Sequence, residues 1–261
     1  MQIVIDKSYL QGVSTEKMCR LCEEHTVLFI ETLLYELLTA TESERNVCFA
    51  KFPAIDNPVT LIPRAGPLLR YENEHLRAAS PLVDHRIEVD FRFNPEFAIG
   101  SFQHAPDEKT ALTDWRQEVK REVETFREVA TGVSVWCPRL RTVSDKELKI
   151  GCKDLKRQAC TDLAVVRNVY RSLDLEGFAC ASLLDRSWVL FRWIQAHLLF
   201  SLDYIARYEF ADLEKIPKRL EHDIHDIQYV LFGCLCGALA TKDKVMMRNF
   251  QLACPEGTVI S

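Results

Sequence analysis

Carboxylates stand where short apolar runs begin or end, near both ends of the chain. Asp6 directly follows a β-branched run, Asp243 lies just beyond a short apolar run, and Asp226 opens a longer apolar segment. Carboxylates that come together repel one another, so they persist as a cluster only when a divalent cation neutralises them. Mg²⁺ or Mn²⁺ held in this way lowers the pKa of a bound water and stabilises charge on a phosphate. Such a cluster would support phosphodiester hydrolysis that needs no nucleophilic side chain. The alternative is that Asp6 and Asp243 end strands in turns and Asp226 caps a helix.

A fourth carboxylate comes from the apolar segment 27–39, which contains Glu31 and Glu36. Charged side chains are rarely placed among residues that favour burial unless they are paired or bind metal. The segment begins like a strand and is predicted to be helical by Thr32. Five residues of helix turn a side chain by about 140°, so only one of the two glutamates is expected to face a shared pocket.

The elements that would position these carboxylates are short buried strands. Residues 2–5 are predicted as one strand, and the helix that Asp226 opens is predicted to end at Gly237, before a second short strand. A helix followed by a parallel strand that ends in a carboxylate is typical of an open α/β sheet, where sites form beyond the carboxyl ends of strands. We therefore expect Asp6 and Asp243 to be neighbours in the fold.

Two motifs resemble those of the PIN-domain nucleases. The opening strand with Asp6, followed two positions later by Ser8, resembles the family's first strand and first acidic position. Asp226 at the start of a helix, and Thr241-Lys-Asp243 after the next strand, resemble the family's last two acidic positions. Both motifs occur in the family's order, one near each end of the chain.

This resemblance covers residues 1–40 and 215–261, and the middle of the chain departs from it. It implies an α/β fold: a three-layer PIN-like core with a mostly parallel sheet, formed by residues 1–50 and 211–261, and split by a large, mainly helical insertion at 51–210. The family acts mostly on RNA, so the resemblance implies RNA as a substrate more than DNA. The catalytic residues, and ligands for Mg²⁺ or Mn²⁺, that it implies are Asp6, Glu36, Asp226 and Asp243.

The resemblance also favours one residue in each of two pairs. Glu36, within Leu-Leu-Tyr-Glu-Leu-Leu, is similar to the family's helix position, so we favour it over Glu31. Asp226 fits the family's spacing to Asp243 better than Asp223 does. Asp223 lies three residues away on nearly the same helical face, which makes it a supporting or additional ligand.

Other polar side chains could support the cluster. The resemblance implies that the Ser8 and Thr241 hydroxyls position a metal-bound water or a neighbouring carboxylate, whereas ordinary turn chemistry accounts for them equally well. His222 and His225 lie next to the acidic positions on either side and could contact the site or a phosphate. Histidines near helix starts are more often caps or surface residues, so both interpretations stay open.

The charge balance requires that substrate binding be local. The chain of 261 residues has a net charge of −5, so a nucleic acid would need a local basic patch. Lys149, Lys153 and Lys156 recur at i, i+4 and i+7 and are predicted to share one helical face. We expect these lysines to bind substrate, although the same pattern is also typical of a solvated helix face.

Composition and motifs indicate the setting of the chain. The longest apolar stretch, 188–200, is short and interrupted by polar residues, and no signal-peptide pattern opens the sequence. We therefore expect a cytoplasmic location, no membrane partner and reduced thiols at the ten cysteines. Cys19, Cys22 and His25 resemble half of a zinc site, but no fitting second pair is found, and packing in a groove explains the spacing better.

Further elements follow from capping and periodicity. Ser14 is predicted to cap a helix over 16–24, and Ser144 forms a capping box with Glu147 at the start of another helix. Residues 85–93 alternate like a strand. Additional helices are predicted over 113–129, 163–173 and 178–208, the last either long or broken near Asp185.

The leading hypothesis is a divalent-metal-dependent nuclease. The alternative is a non-catalytic PIN-like scaffold that binds a protein or nucleic acid through its helical insertion, and a homo-oligomer or a regulatory protein partner is compatible with either. A haloacid-dehalogenase-type phosphatase also begins with strand–Asp, but it needs a second Asp where this chain has Ser8. The sequence contains no P-loop, dinucleotide-binding or nucleophile-elbow motif.

Overall fold

The computed structural model describes residues 1–88, 106–173, 181–208 and 217–261. Its strands are β1 (Gln2–Ile5), β2 (Thr26–Ile30), β3 (Thr60–Ile62), β4 (Ala238–Ala240) and β5 (Thr258–Ile260). Its helices are α1 (Lys7–Gly12), α2 (Thr15–Glu24), α3 (Glu31–Thr39), α4 (Glu42–Phe49), α5 (Ala65–His75), α6 (Pro106–Trp136), α7 (Asp145–Thr161), α8 (Leu163–Ser172), α9 (Val189–Tyr208), α10 (Pro217–Cys236) and α11 (Lys244–Ala253). Short 3₁₀ turns occupy Leu82–His85, Pro138–Arg141 and Ala181–Leu183.

The strands form one parallel sheet in the order β3-β2-β1-β4-β5. β1 is central: Val4 is in register with Leu28 of β2 and with Leu239 of β4. Ile3, Val4 and Ile5 are fully buried. Because successive side chains of a strand point to opposite faces, both faces of β1 must be covered. The predicted α/β class with a mostly parallel sheet is confirmed.

The strand order changes direction between β1 and β4. From β1 the chain builds the sheet outward to β2 and β3, and it later returns to the other side of β1 to form β4 and β5. In open α/β sheets, binding sites form beyond the carboxyl ends of the strands at such a switch point. Asp6 directly follows β1 and Thr241 directly follows β4, so both lie at this position.

Local capping signals determine several helix starts as predicted. Ser14 caps α2, and Ser144 with Glu147 forms the capping box of α7. α3 begins at Glu31, one residue before the predicted change from strand to helix at Thr32. The helix predicted over 163–173 is α8, whereas the helix predicted over 113–129 is the middle of α6, which begins earlier, at Pro106, and ends later, at Trp136.

The predicted helix start at Asp226 is wrong. α10 begins at Pro217, so Asp226 lies inside the helix and does not open it. Buried Leu220, Ile224 and Ile227 recur at i, i+4 and i+7, and their burial extends the apolar stripe toward the helix start. The helix predicted over 178–208 is broken near Asp185, one of the two predicted alternatives: a 3₁₀ turn at Ala181–Leu183 precedes α9, which begins at Val189, and residues 178–180 lie outside the described part of the chain.

Gly237 ends α10 and allows the chain to turn directly into β4. Its backbone has φ of 78°, the left-handed conformation that glycine adopts without a Cβ penalty. Its amide donates to the Gly233 carbonyl at 2.8 Å, and its own carbonyl accepts from the Thr258 amide of β5. This turn matches the predicted stop and links α10 to both C-terminal strands.

The middle of the chain contributes a strand that the sequence reading passed over. Residues 60–62, between Pro58 and Pro63, form β3 and pair with β2, but three residues are too short to show an alternating pattern. The strand predicted over 85–93 is not found at 85–88, although the Ile87 amide donates to the Leu61 carbonyl of β3. Residues 89–93 lie outside the described range. Since β3 falls within 51–210, part of that segment belongs to the sheet, and the division into core and insertion stays a prediction.

A buried carboxylate ties α5 to the start of α9. Glu72 accepts hydrogen bonds from the amides of Ala79, Val189 and Leu190 at 2.7 to 3.0 Å. Two of these amides belong to the first turn of α9, which has no intrahelical acceptors for them. Burial raises the pKa of Glu72, and the three amides act in the opposite direction.

None of the described helices has the length and apolar character that a membrane span requires.

Glu72→Ala should lower the free energy of unfolding by about 3 kcal/mol or more, because it leaves three buried amides without an acceptor. Glu74→Ala on the same helix is the control: Glu74 is exposed, so its loss should change stability by no more than about 0.5 kcal/mol. Urea unfolding followed by circular dichroism measures both. Equal midpoints for the two variants would contradict the role of Glu72.

Candidate metal centre

Asp6 joins the two ends of the chain through its carboxylate. One oxygen, Oδ1, accepts from the Tyr9 amide at 2.6 Å and caps α1. The other, Oδ2, accepts from the Ser8 and Thr241 hydroxyls, both at 2.7 Å. Ser8 Oγ in turn accepts from the Lys242 amide at 3.0 Å. The side chain that follows β1 is therefore bonded to the residue that follows β4.

Asp243 is held by the start of α11. Its Oδ1 accepts from the Val245 and Met246 amides at 2.7 and 2.9 Å, and its own amide donates to Thr241 Oγ1 at 3.0 Å. A carboxylate at a helix N-terminus is also stabilised by the helix dipole. Its Oδ2 has no donor among the described residues, so this oxygen is available to a ligand.

Glu36 is a charged group held by two side chains of α10. Tyr229 donates its hydroxyl to Glu36 Oε2 at 2.5 Å, and His225 Nδ1 lies 3.5 Å from Oε1. Burial alone would raise the pKa of Glu36, but His225, Tyr229 and nearby Lys7 outweigh it and lower the pKa below its usual value. Glu36 is therefore ionised at neutral pH.

Glu31 has a separate role. Its Oε2 accepts from the Arg64 amide at 2.9 Å, at the start of α5. Glu36, by contrast, acts electrostatically on both Asp6 and Asp226 and raises their pKa values. The structure thus brings Glu36 toward the other carboxylates and engages Glu31 with the backbone of a different helix.

Asp226 lies in α10 without a hydrogen-bond donor from any described residue. Its pKa is raised well above the usual value by burial first, and then by the charges of Asp243, Asp223, Glu36 and Asp6. Such mutual effects require short separations, because charges screened by water act over only about 10 Å. The charges of the four other acidic residues therefore all disfavour ionisation of Asp226.

Asp6 differs from Asp226 because both of its carboxylate oxygens accept hydrogen bonds from the protein. Its side chain is 1% exposed, and burial raises its pKa to about 6 even though three hydrogen bonds act to lower it. Within the described ranges, no three His, Cys, Asp or Glu side chains already stand in an arrangement that would hold one metal ion. A cation at this site would therefore draw the carboxylates closer together than they stand here.

Four residues near the cluster were missed or left open by the sequence. His225 is buried, packs edge-on against Tyr35, and neither ring nitrogen has a hydrogen-bond partner among the described residues, the contact to Glu36 being at the outer limit. His222 is exposed. Tyr229 and Lys7 received no role from the sequence. Tyr229 lies three residues after Asp226, a spacing that puts both on one face of a helix and that could have indicated it.

The three lysines predicted to bind substrate do not share an exposed face. Lys149 and Lys153 are exposed, but Lys156 is buried and contacts Asp203 Oδ2 and Asn249 Oδ1, both at 2.7 Å. The expected exposed face is therefore wrong for Lys156, which is buried and neutralises Asp203 of α9. That Lys156 binds substrate stays a prediction. The sequence spacing alone could not reveal a partner from another helix.

The proposed half zinc site gains no further ligands in the described residues. Cys19 and Cys22 are half-buried on α2, and Cys19 Sγ lies 3.9 Å from the Lys51 carbonyl. Burial raises the pKa of Cys22 to about 12, so this thiol is protonated. The cysteines that the structure describes are free thiols.

Asp226→Asn should stabilise the metal-free protein at neutral pH, because it removes a charge that repels its neighbours. A folded-state pKa above the unfolded value means that stability is lost as pH rises. The melting temperature of the variant should therefore match the wild type below about pH 4 and exceed it by about 2 to 5 °C near pH 8. Asp114→Asn, at an exposed position of α6, is the control. A variant less stable than the wild type near pH 8 would contradict the electrostatic account.

Comparisons of the chain with protein-family models, with curated proteins and with solved structures find no match. The resemblance to PIN-domain nucleases therefore stays a prediction from the sequence motifs.

Proposed function

We propose that this chain is a divalent-metal-dependent nuclease with a PIN-like core, and that RNA is its preferred substrate. The observation that carries the proposal is Asp226, a carboxylate without a hydrogen-bond donor among the described residues, whose ionisation is opposed by four other acidic side chains near the switch point of a parallel sheet. Maintaining it costs stability in the absence of a cation. A bound cation would reverse this cost, because it would favour the ionised form of every carboxylate in the cluster.

The chemistry of the donors fits Mg²⁺ or Mn²⁺. The groups that converge are carboxylates, and these hard cations prefer oxygen ligands. Asp226, Asp243 and Glu36 would hold the ion, and Asp6 would complete the cluster. When bound, the ion would activate a water and stabilise the charge that develops on a phosphate.

The packing supports a three-layer core. α10 contacts β1 and β4 and packs against α9 and α11, whereas α2 and α3 contact β2, and α1, α3 and α4 contact one another. Right-handed crossovers place the helices that connect β1 to β2 and those that connect β4 to β5 on opposite faces of the sheet. The burial of every side chain from Ile3 to Ile5 is in accord with this arrangement.

The residues around the cluster have separate tasks. The Ser8 and Thr241 hydroxyls hold Asp6 in place, and their own oxygens accept from the Lys242 and Asp243 amides, which fixes the direction of both O–H bonds. Water is excluded from Asp6 by burial. An orientation fixed in advance lowers the reorganisation that the reaction must otherwise include.

Lys7 would contact the substrate. It follows Asp6, lowers the pKa of Glu36, and makes no ion pair or hydrogen bond with any described residue. Its ammonium is therefore available to a phosphate oxygen. Lys51 and Lys242, by contrast, donate hydrogen bonds from their ammonium groups to carbonyls at the end of α1, at 2.6 Å and 2.7 Å respectively.

The alternative is a PIN-like scaffold without catalysis. It is favoured by one observation: both oxygens of Asp6 are already engaged by protein donors, so a cation would compete with those bonds. The two functions differ in a simple respect. A scaffold would bind its partner equally well with and without divalent cations.

Asp243→Asn should abolish cleavage and leave the fold intact. Asn caps helices as well as Asp does, so the bonds to the Val245 and Met246 amides can persist while the charge that binds the cation is lost. Cleavage of labelled single-stranded RNA and DNA is measured with Mg²⁺, Mn²⁺ or excess chelator. Asp145→Asn, at the exposed start of α7, should retain full activity. Undiminished cleavage by folded Asp243→Asn protein, or in chelator, would refute the mechanism.

Lys7→Met should reduce kcat/KM for RNA about 10- to 100-fold without weakening Mn²⁺ binding, because it removes a charged contact to phosphate and no metal ligand. Lys17→Met is the control, because Lys17 is exposed on α2. Mn²⁺ affinity is measured by electron paramagnetic resonance and the rates by cleavage. Equal kcat/KM values for both variants would remove Lys7 from the site.

A further inference from the structure

A second pocket lies between α7, α9 and α11, and none of the acidic cluster lines it. It has a volume of about 600 Å³. Its apolar wall includes Cys152, Leu202, Ala206 and Leu252. The size lies within the range of small-molecule sites, which are mostly apolar with a few charged groups that fix orientation.

The pocket is strongly cationic in an acidic chain. Five basic side chains and one carboxylate, Asp203, line it, whereas the chain as a whole has a net charge of −5. Asp203 is shared by Lys156 at 2.7 Å and Arg248 at 2.9 Å, so a single negative charge serves two cations. The remaining basic residues are Lys149, Lys153 and Arg157.

Two of these cations are unpaired. Arg157 bonds to Asp154 at 3.0 Å, but Lys149 and Lys153 have no ion pair or hydrogen bond with any described residue. They lie four residues apart on α7, so they share a face of the helix at the pocket. Two ammonium groups one helical turn apart repel each other, and a dianion bound between them would remove the repulsion.

We propose that this pocket binds a small phosphate monoester with a flat apolar body, such as a nucleoside monophosphate, independently of the acidic cluster. The phosphate, with a charge of about −2, would lie between Lys149 and Lys153 with Arg248 nearby. The apolar body would rest on Leu202, Ala206 and Leu252. A concave site that combines charge with an apolar wall suits such a ligand better than an extended polymer backbone, which needs a row of cations along an open surface.

Calorimetric titration of the full chain with adenosine 5′-monophosphate, cytidine 5′-monophosphate and phenyl phosphate tests the proposal. Inorganic phosphate and adenosine report the two halves of the ligand separately, and each should bind at least tenfold more weakly than the complete monoester. Lys149→Gln/Lys153→Gln should weaken monoester binding at least tenfold. Lys120→Gln/Lys146→Gln, which removes two exposed lysines outside the pocket, should leave binding unchanged.

Further variants separate this site from the acidic cluster and from a path for RNA. Ala206→Phe should fill the pocket and block binding, whereas Asp243→Asn should leave it unaffected. No saturable binding of any of the three monoesters at millimolar concentration would overturn the proposal. So would binding that persists in Lys149→Gln/Lys153→Gln. If the protein binds no monoester but binds an RNA 12-mer without terminal phosphates, and if that binding requires both lysines, the surface would be assigned to nucleic acid instead.

Discussion

The hydrogen bond from the Thr241 hydroxyl to the Asp6 carboxylate is the contact on which the acidic site depends. It joins residues 235 positions apart in sequence, and it does so at the carboxyl ends of two neighbouring parallel strands. Ser8 donates to the same oxygen, and the amides of Lys242 and Asp243 orient the two hydroxyls. These bonds fix the orientation of the Asp6 carboxylate at the junction of β1 and β4.

The acidic side chains repel one another, so packing elsewhere in the fold must stabilise the elements that carry them. The apolar stripe of α10 packs Asp226 into place on β1 and β4, while Tyr229 and His225 of the same helix keep Glu36 ionised. Buried ion pairs and caps elsewhere, such as Glu72 at the start of α9, stabilise the scaffold away from the site. α11 belongs to both regions, since Asp243 begins it and Arg248 reaches the cationic pocket.

The parts of the site that the sequence predicted are those encoded locally. A carboxylate after a short buried strand, a hydroxyl two positions from it, and a glycine that ends a helix each follow from a few adjacent residues, as Asp6, Ser8 and Gly237 show. Features that depend on distant partners were missed or misjudged. Lys156 has the same local pattern as Lys149, and only its contact with Asp203 reveals that it is buried. β3 has too few residues for any periodicity, and its pairing with β2 alone makes it a strand.

The parallel pairing of β1 with β4 has a consequence for synthesis of the chain on the ribosome. β1 is made long before β4, so its neighbour on one side does not exist until residue 240 has been added. Contacts so distant in sequence form late, because the entropy of closing a long loop must be offset first. β1, β2 and β3 can associate early, but one edge of β1 then stays open to other strands. The acidic centre consequently has no assembled form on a nascent chain, which delays any activity of this site until β4 has left the ribosome.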